Sequence, residues 1–444
     1  MALLRQEVDP IEVGLDAKAL DRLDQHVAHL VDEGRLPGFL LAVSRGGRVA
    51  HLTTHGHRNV ARGLPVEADT LYRIYSMTKP VTSVAALILM EEGRLGLDDP
   101  VADHLPAFAD RRVYAGGSGT ALTTRPAEQP LLVRHLMTHT AGLTFAFYHC
   151  HPVDALYREA GLESAVLPGS DLAETVDAYA RLPLQFEPGT QWNYSVATNV
   201  LGRIIEVVSG QPLDTFLTER IFRPLGMPDA GFHVTPDRSP RLAELYGDTD
   251  TGDIEPIAGL PLTGRPRFLS GSGGMVATAY DIHRFSELLR RRGTLDGVRL
   301  LAPETVDLMT RNHLPDNADL RASAAAPPMT NRATTRRLRP GRLRGRRPGA
   351  HPGPLGARHL RLERRRHHHL LDRPEPRSER AVPDPAQTET VAQALPRPQT
   401  AGPRSGEGLN SSPSTASSRS HTAARSEVSA ARLRPAGRTP SRMW

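Results

Sequence analysis

The feature that most constrains the fold is a segment of mostly hydrophobic residues that runs from Val81 to Met90 and ends at Gly93. At helical spacing these residues leave almost no polar face. A helix that is apolar all round is normally buried at the centre of its domain. We therefore expect a domain built around a helix that follows Ser76.

Weaker patterns predict the elements around this helix. Apolar residues from Leu20 to Val31 recur at helical spacing and predict a helix over 16–34. Two β-type runs, Phe39–Val43 and Arg48–Thr53, flank Gly46-Gly47 and predict a hairpin. Further helices are expected at about 131–138, 172–181, 197–208, 213–223 and 279–291. Together these elements predict an α+β fold with an early antiparallel hairpin and a helix-rich body.

The charge of the chain divides it into two unlike parts. The 444 residues carry a net charge of +6, yet residues 321–444 hold 25 arginines and 8 acidic residues, a net charge of +17. The rest of the chain therefore carries −11, as in an ordinary acidic enzyme. The second part has no phenylalanine, no tyrosine and no apolar periodicity, so it cannot bury enough surface to offset chain entropy. We predict an enzyme-sized domain over 1–320 and an Arg/Pro-rich disordered tail over 321–444.

Several classes of protein are disfavoured by the same composition. With Cys150 as the only cysteine, neither an intramolecular disulfide nor a cysteine-based zinc site can form. The first residues lack the pattern of a secretory signal, and the run from Val84 to Met90 is too short to cross a bilayer. The tail arginines are not interleaved with stacking aromatic residues, which disfavours a nucleic-acid-binding arm. We expect a cytoplasmic protein with no cofactor, no metal, no nucleic-acid partner and no membrane contact.

A candidate nucleophile and base lie in Ser76-Met77-Thr78-Lys79. Residues three apart on a helix share a face, so the serine hydroxyl and the lysine amine can meet. A lysine desolvated by the apolar helix can accept the serine proton. Lys18 is the only other lysine, and arginine cannot replace a deprotonating base. The alternative is that Ser76 caps the helix and Lys79 is solvated.

A second candidate is Tyr194, in a loop between Pro188-Gly189 and the helix predicted at 197–208. A phenol held beside a lysine can have a lowered pKa and act as a general base and then as an acid. The alternative is an ordinary half-buried tyrosine with one hydrogen bond.

Together these motifs resemble the serine β-lactamase and penicillin-binding superfamily, whose members share a Ser-x-x-Lys motif. The resemblance spans about residues 12–320 and is carried, in family order, by the blocks YRIYSMTKPVTSVAALILMEEGRLGLDDPVADHLP, LLVRHLMTHTAGL, FEPGTQWNYSVATNVLGRIIEVVSG and SGSGGMVATAYDIHRF. Within the superfamily the chain is most similar to class C β-lactamases, family VIII carboxylesterases and related transesterases.

The resemblance implies a β-lactamase/transpeptidase-like fold and acyl-enzyme chemistry. Ser76 would be the acylated nucleophile, Lys79 its base and Tyr194 the group that moves the proton to the leaving group. Class C enzymes have an asparagine two residues after the tyrosine, where this chain has Val196. That difference favours ester hydrolysis or transesterification over a class C-type β-lactamase, a D-aminopeptidase or DD-peptidase-like amide hydrolase. A non-catalytic penicillin-recognising module is a further alternative.

The family's third motif, Lys-Thr-Gly, His-x-Gly or Trp-x-Gly on a late strand, is not found. The motif's strand supplies an oxyanion donor alongside the backbone N–H of the nucleophile, so its loss would impair turnover and leave the hairpin at 38–54 with an open edge. If residues 359–374 are written as GC-rich codons chosen for this purpose, translation of the same DNA from one base later gives a segment that contains a Trp-x-Gly strand. We therefore hypothesise a frameshift between about 320 and 340.

Other residues have more ordinary interpretations. His135 and His139 lie four apart, like metal ligands on a helix, but packing or capping is the favoured interpretation because no third ligand is near in sequence. Three glycines predict a tight turn at the cleft edge that uses positive φ. Four aromatic residues are either the lining of an apolar acyl pocket or part of the core. The glycines are Gly271, Gly273 and Gly274, and the aromatic residues are Phe145, Phe147, Tyr148 and Trp192.

Overall fold

The structure is a computed structural model that describes residues 3–249, 253–259, 262–320, 324 and 388–394. The helices are α1 Ala17–Asp32, α2 Thr78–Glu91, α3 Val101–His104, α4 Val133–Met137, α5 Pro152–Glu159, α6 Leu172–Ala180, α7 Ala197–Ser209, α8 Leu213–Leu217, α9 Arg223–Leu225, α10 Ala279–Arg290 and α11 Pro303–Met309. The strands are β1 Gly38–Arg45, β2 Arg48–Asn59, β3 Leu64–Pro65, β4 Tyr72–Arg73, β5 Arg112–Gly116, β6 Thr123–Pro126, β7 Tyr246–Asp248, β8 Ile254–Pro256, β9 Val276–Ala277, β10 Thr294–Leu295, β11 Val298–Arg299 and β12 Thr388–Ala394.

Helix α2 is the centre of the main hydrophobic core, as its composition predicted. Val81, Val84 and Leu89 have no exposed side-chain surface, and α7 packs beside them. Each fully buried side chain of this size stabilises the fold by about 1.5–3 kcal/mol. The core therefore fixes the position of the first turn of α2, where the candidate nucleophile and base lie.

The predicted hairpin is present and longer than expected. Strands β1 and β2 pair in antiparallel register across Gly46-Gly47, whose φ values of 62° and 84° suit a two-residue type I′ loop. Helix α1 covers one face of the hairpin, where Asp24 bonds His51 at 2.9 Å and Asp32 bonds His55 at 3.1 Å.

The outer edge of β1 is occupied. The backbone of β12 pairs with β1 in antiparallel register from Phe39 opposite Ala394 to Arg45 opposite Thr388. The four-stranded sheet has the order β12-β1-β2-β3. The expected open edge is therefore not observed, because a strand from the segment predicted to be a tail completes the backbone hydrogen bonds of β1.

A small two-stranded ladder positions the candidate site. Strand β4 ends just before Ser76 and pairs with β9, so that Tyr72 lies opposite Ala277 and Arg73 opposite Val276. The ladder is extended by a bond from Ile74 N to Met275 O of 3.0 Å. These bonds place the glycine-rich loop at 270–274 beside the start of α2.

Two predicted helices differ from the observed ones. The helix expected over 131–138 is limited to Val133–Met137. The one expected over 213–223 is divided into α8, a π-helical turn over Thr218–Phe222, and α9. The division has a local cause, since Pro224 lacks the N–H that would continue the α-helical bonding pattern.

The predicted boundary near residue 320 stays a prediction. Of residues 321–444, only Ala324 and β12 are among the described residues. Apart from these positions, the predicted disorder of the tail and the frameshift hypothesis concern residues outside the described part. Within the described ranges no helix has both the length and the apolar composition that a membrane span requires.

Candidate active site

Ser76 lies in a 3-10 turn, Tyr75–Met77, that leads directly into α2. The sequence analysis expected Ser76 in the first turn of the α-helix, whereas it lies two residues before the first residue of α2, Thr78. The preceding residue, Tyr75, has a φ of 43°, a conformation that bulky residues rarely adopt. Ser76 is exposed. The turn therefore leaves the Ser76 hydroxyl accessible at the start of a helix whose remaining length is mostly buried.

Lys79 points its amine at Ser76. The Nζ atom lies 3.2 Å from Ser76 Oγ and donates to the backbone carbonyl of Ser272 at 2.8 Å. It also lies 4.5 Å from the centroid of the Tyr194 ring. Burial lowers the pKa of Lys79 to about 7. A large fraction of the amine is therefore neutral near pH 7, and this neutral form can accept a proton, as expected of a desolvated lysine.

Tyr194 approaches the same hydroxyl from the other side. Its Oη atom is 2.6 Å from Ser76 Oγ. Burial raises the pKa of Tyr194, and the hydrogen bond to Ser76 opposes that shift only in part. The expectation of a lowered phenol pKa was wrong, because desolvation of the buried phenol outweighs its hydrogen bond to Ser76. Tyr194 is thus a neutral phenol that can donate a proton, and Lys79 is the stronger base of the two.

His139 packs against Tyr194 and holds the loop that carries it. Its ring packs against the Tyr194 ring with centroids 4.8 Å apart, and its Nδ1 accepts from the backbone N–H of Ser195 at 3.3 Å. The residue is buried, and burial, aided by the charge of Lys79, lowers the pKa of His139 to about 3. A neutral imidazole therefore orients the tyrosine loop, a contact that no spacing in the sequence indicates.

His135 has the structural role expected of it. Its Nδ1 accepts from the backbone N–H of Leu132 at 3.2 Å and caps α4. Among the described residues there is no cluster of three or more His, Cys, Asp or Glu side chains that could hold a metal ion.

An aromatic cluster lies beside Tyr194. Phe145 is buried with its ring centroid 5.6 Å from that of Tyr194, and it stacks on Phe147 at 4.8 Å. Tyr148 packs edge-on against Phe147, and burial, together with Tyr194, raises its pKa. Phe147 and Tyr148 are half-buried. Three of the four predicted pocket residues therefore meet next to the site, whereas Trp192 forms a backbone bridge to Ala324.

The glycine-rich loop is tight for a different reason than the one predicted. None of Gly271, Gly273 and Gly274 has a positive φ. Instead, a Cβ on Gly271 would lie 2.7 Å from the backbone oxygen of Thr198. Glycine is required there because two backbone segments approach closely, and that approach brings the Ser272 carbonyl to Lys79.

The comparisons with known proteins agree with this site. A family model described as Beta-lactamase matches residues 23–361. Protein Rv1367c of Mycobacterium tuberculosis is 35% identical over 309 residues, 69% of this chain and 76% of that protein. Esterase EstB of Burkholderia gladioli is 33% identical over 306 residues, 64% of this chain and 73% of that protein.

A solved structure shows the same architecture. The protein described as "EstCE1, a hydrolase with promiscuous acyltransferase activity" is 28% identical and superposes with a TM-score of 0.58, covering 69% of this chain and 80% of that chain. This match gives the chain the β-lactamase/transpeptidase-like fold that the motifs implied. The chain belongs to the β-lactamase family of serine hydrolases.

Proposed function

We propose that this chain hydrolyses carboxylic esters of small molecules through an acyl-enzyme on Ser76. One observation carries the proposal: Lys79 Nζ and Tyr194 Oη both lie within hydrogen-bonding distance of Ser76 Oγ, at 3.2 and 2.6 Å. A hydroxyl that contacts both a neutral amine and a protonated phenol has a base for its own proton and an acid for the leaving group.

Acylation uses the three side chains in order. Neutral Lys79 takes the Ser76 proton as Oγ attacks the carbonyl carbon of the ester, and the tetrahedral intermediate forms. Tyr194 gives its phenolic proton to the departing alkoxide, so the carbon–oxygen bond of the leaving alcohol breaks. The Lys79 ammonium then reprotonates the phenolate, which restores both groups for the second step.

Deacylation repeats the same transfers with another hydroxyl. Neutral Lys79 accepts a proton from water as the water oxygen attacks the acyl carbon. Tyr194 gives its phenolic proton to Ser76 Oγ as the bond from the acyl carbon to Oγ breaks, and the Lys79 ammonium then reprotonates the phenolate. A small alcohol can take the place of water, in which case the product is a new ester. EstCE1 is described as having both kinds of activity, which supports this reading of the site.

The preference for esters over amides rests on Val196. At this position, two residues after Tyr194, the side chain has no exposed surface, so it presents neither an amide nor any other group to a substrate. A β-lactam or peptide side chain would lack a polar contact there. The similarity to an esterase, EstB, is consistent with this preference.

Turnover of p-nitrophenyl butyrate and nitrocefin by the full chain tests the proposal. We expect the ester to be hydrolysed, nitrocefin to be a poor substrate, and Ser76→Ala to abolish turnover. Ser83→Ala, on the same helix and half-buried, is the matched control and should retain activity. Hydrolysis of nitrocefin in preference to esters would favour an amide hydrolase. Labelling of Ser76 by a fluorophosphonate without any turnover would favour a non-catalytic penicillin-recognising module.

A further inference from the structure

We propose that Asn199 is a positioning residue for Lys79: its side-chain amide fixes the loop at 270–274 so that the Ser272 carbonyl holds the lysine amine toward Ser76. The inference deepens the proposed function and rests on it for the role of Lys79. The side chain of Asn199 forms hydrogen bonds with neither Lys79 nor Ser76, so its effect is transmitted through the loop.

Both polar atoms of the Asn199 side chain form hydrogen bonds. Asn199 lies in the first turn of α7 and is 1% exposed. Its Oδ1 accepts from the backbone N–H of Ser272 and from Ser270 Oγ, both at 3.0 Å. Its Nδ2 donates to Tyr179 Oη at 3.2 Å. The two donors on one side and the tyrosine oxygen on the other fix which way the amide faces.

The loop that Asn199 holds supplies the acceptor for Lys79. The carbonyl of Ser272, the same residue whose N–H bonds Asn199, accepts from Lys79 Nζ at 2.8 Å. Within the described residues no carboxylate forms an ion pair with Lys79, and burial alone accounts for its lowered pKa. A neutral carbonyl can direct the amine without stabilising the ammonium as strongly as a carboxylate would.

The loop needs such an anchor because of its composition. It reads Ser-Gly-Ser-Gly-Gly, and glycine gives the backbone more conformational freedom than any other residue. One other side-chain bond to its backbone comes from Thr82 Oγ1 to Gly271 O, at 2.9 Å. Asn199 and Thr82 therefore tie the loop from two helices, α7 and α2. Val196 offers no amide to the site. The amide of Asn199, about one helical turn further along the chain, acts on the site indirectly through the loop.

The chain has an internal probe for this role, since Lys18 and Lys79 are its only lysines and Lys18 is exposed. In protein labelled with [13C]lysine, the Cε signal of Lys79 reports the protonation of its amine and that of Lys18 is the reference. Asn199→Asp places a carboxylate behind the Ser272 carbonyl, and we expect it to raise the Lys79 midpoint by about one pH unit. Asn199→Leu frees the loop, and we expect kcat to fall at least ~10-fold with little change in KM.

Tyr179→Phe is the matched control. It removes the hydroxyl on the other side of the Asn199 amide but leaves both bonds of Oδ1, so it should lower stability without moving the Lys79 midpoint. The positioning role is wrong if both Asn199 variants have the same Lys79 midpoint as Tyr179→Phe and lose no more kcat than Tyr179→Phe does for an equal loss in the free energy of unfolding. If neither Asn199 variant folds, Ser270→Ala, which removes one of the two donors to Oδ1, must lower kcat for the role to stand.

The NMR titration also separates the two proposals. A wild-type chain that fails to hydrolyse the ester contradicts the proposed function, whereas the Lys79 midpoint in Asn199→Asp is measured without turnover. An unchanged midpoint in an active enzyme contradicts only the role of Asn199.

Discussion

The neutral imidazole of His139 packs against the phenol ring of Tyr194, with ring centroids 4.8 Å apart and ring planes tilted by 49°. The same imidazole accepts from the N–H of Ser195, the next residue along the chain. One side chain thus fixes both the ring and the backbone of the residue that contacts Ser76. His139 itself has a φ of 55°, so its backbone is also unusual.

Replacing His139 tests whether this support matters. His139→Val removes the ring and the acceptor and places a β-branched residue at positive φ, and we expect it to lower the free energy of unfolding by about 2–4 kcal/mol and kcat at least ~10-fold. His139→Asn tolerates the backbone conformation and should be less destabilised. Chemical denaturation and ester turnover measure the two effects. Equal stability and kcat in both variants and the wild type would contradict the supporting role.

The pKa of Lys79 predicts a pH profile. Because the active amine is the neutral one and its pKa lies at about 7, kcat/KM for p-nitrophenyl butyrate should rise from pH 6 to pH 8 with a midpoint near 7. Lys79→Arg should be inactive throughout, since arginine does not deprotonate in this range. A rate that is independent of pH across this range would exclude Lys79 as the base.

The same burial predicts that Lys79 destabilises the fold. Its pKa is about 7 in the folded protein and near 10.5 when unfolded. The free-energy cost of burying the charged amine therefore lowers the stability in full below pH 7, and this cost disappears as the pH rises toward 10.5. Lys79→Met should therefore abolish activity and raise the melting temperature at pH 6. The gain should shrink at pH 10. A lower melting temperature at pH 6 would show that the contacts of Lys79 outweigh its desolvation.

The sequence was sufficient for the features that depend on local pattern. The apolar run predicted the central helix α2, and the Gly46-Gly47 pair predicted the hairpin. The Ser-x-x-Lys spacing and the loop position of Tyr194 selected three side chains that lie together in the structure, while their catalytic roles stay predictions. Helices α5 and α11 were missed because they are short, although each begins with a proline in the position helices favour.

Features that depend on distant contacts could not be predicted in this way. Asn199 and His139 act through residues more than 50 positions away, so no spacing reveals them. The direction of the Tyr194 pKa shift was predicted wrongly because it depends on how deeply the loop is buried. The pairing of β12 with β1 was missed because its sequence lies in a segment whose composition suggested no structure.

Gly271 provides a test of the close approach between the loop and α7. A Cβ at Gly271 would lie 2.7 Å from the Thr198 carbonyl, so Gly271→Ala must displace the loop and should lower the free energy of unfolding by about 1–3 kcal/mol. The Ser272 carbonyl would move with it, and kcat should fall. Gly231→Ala is the control, since its nearest contact would be 3.9 Å and its φ is not positive. Similar stability in both variants would contradict the tight contact.

Asp154 anchors the chain segment that carries the aromatic cluster. The residue has no exposed surface. Its Oδ1 accepts from Thr144 Oγ1 at 2.8 Å and Gln185 Nε2 at 2.7 Å, while its Oδ2 accepts from the backbone N–H groups of Cys150 and His151 at 3.0 and 2.9 Å. These four bonds close the chain segment that carries the aromatic cluster beside Tyr194.

Asp154→Asn replaces one acceptor oxygen by an NH2 group. In either orientation of the amide, this donor faces two other donors: the backbone N–H groups on one side, or the side chains of Thr144 and Gln185 on the other. We expect a loss of about 2–4 kcal/mol in the free energy of unfolding, because buried donors are left without acceptors. If Phe145 and its neighbours bind the acyl group, KM should rise more for octanoyl than for acetyl esters, while fluorophosphonate still labels Ser76. Asp171→Asn, at the half-buried N-cap of α6 where asparagine also caps well, should change neither quantity. Equal changes in KM for both esters would mean that the aromatic cluster is core and does not bind the acyl group.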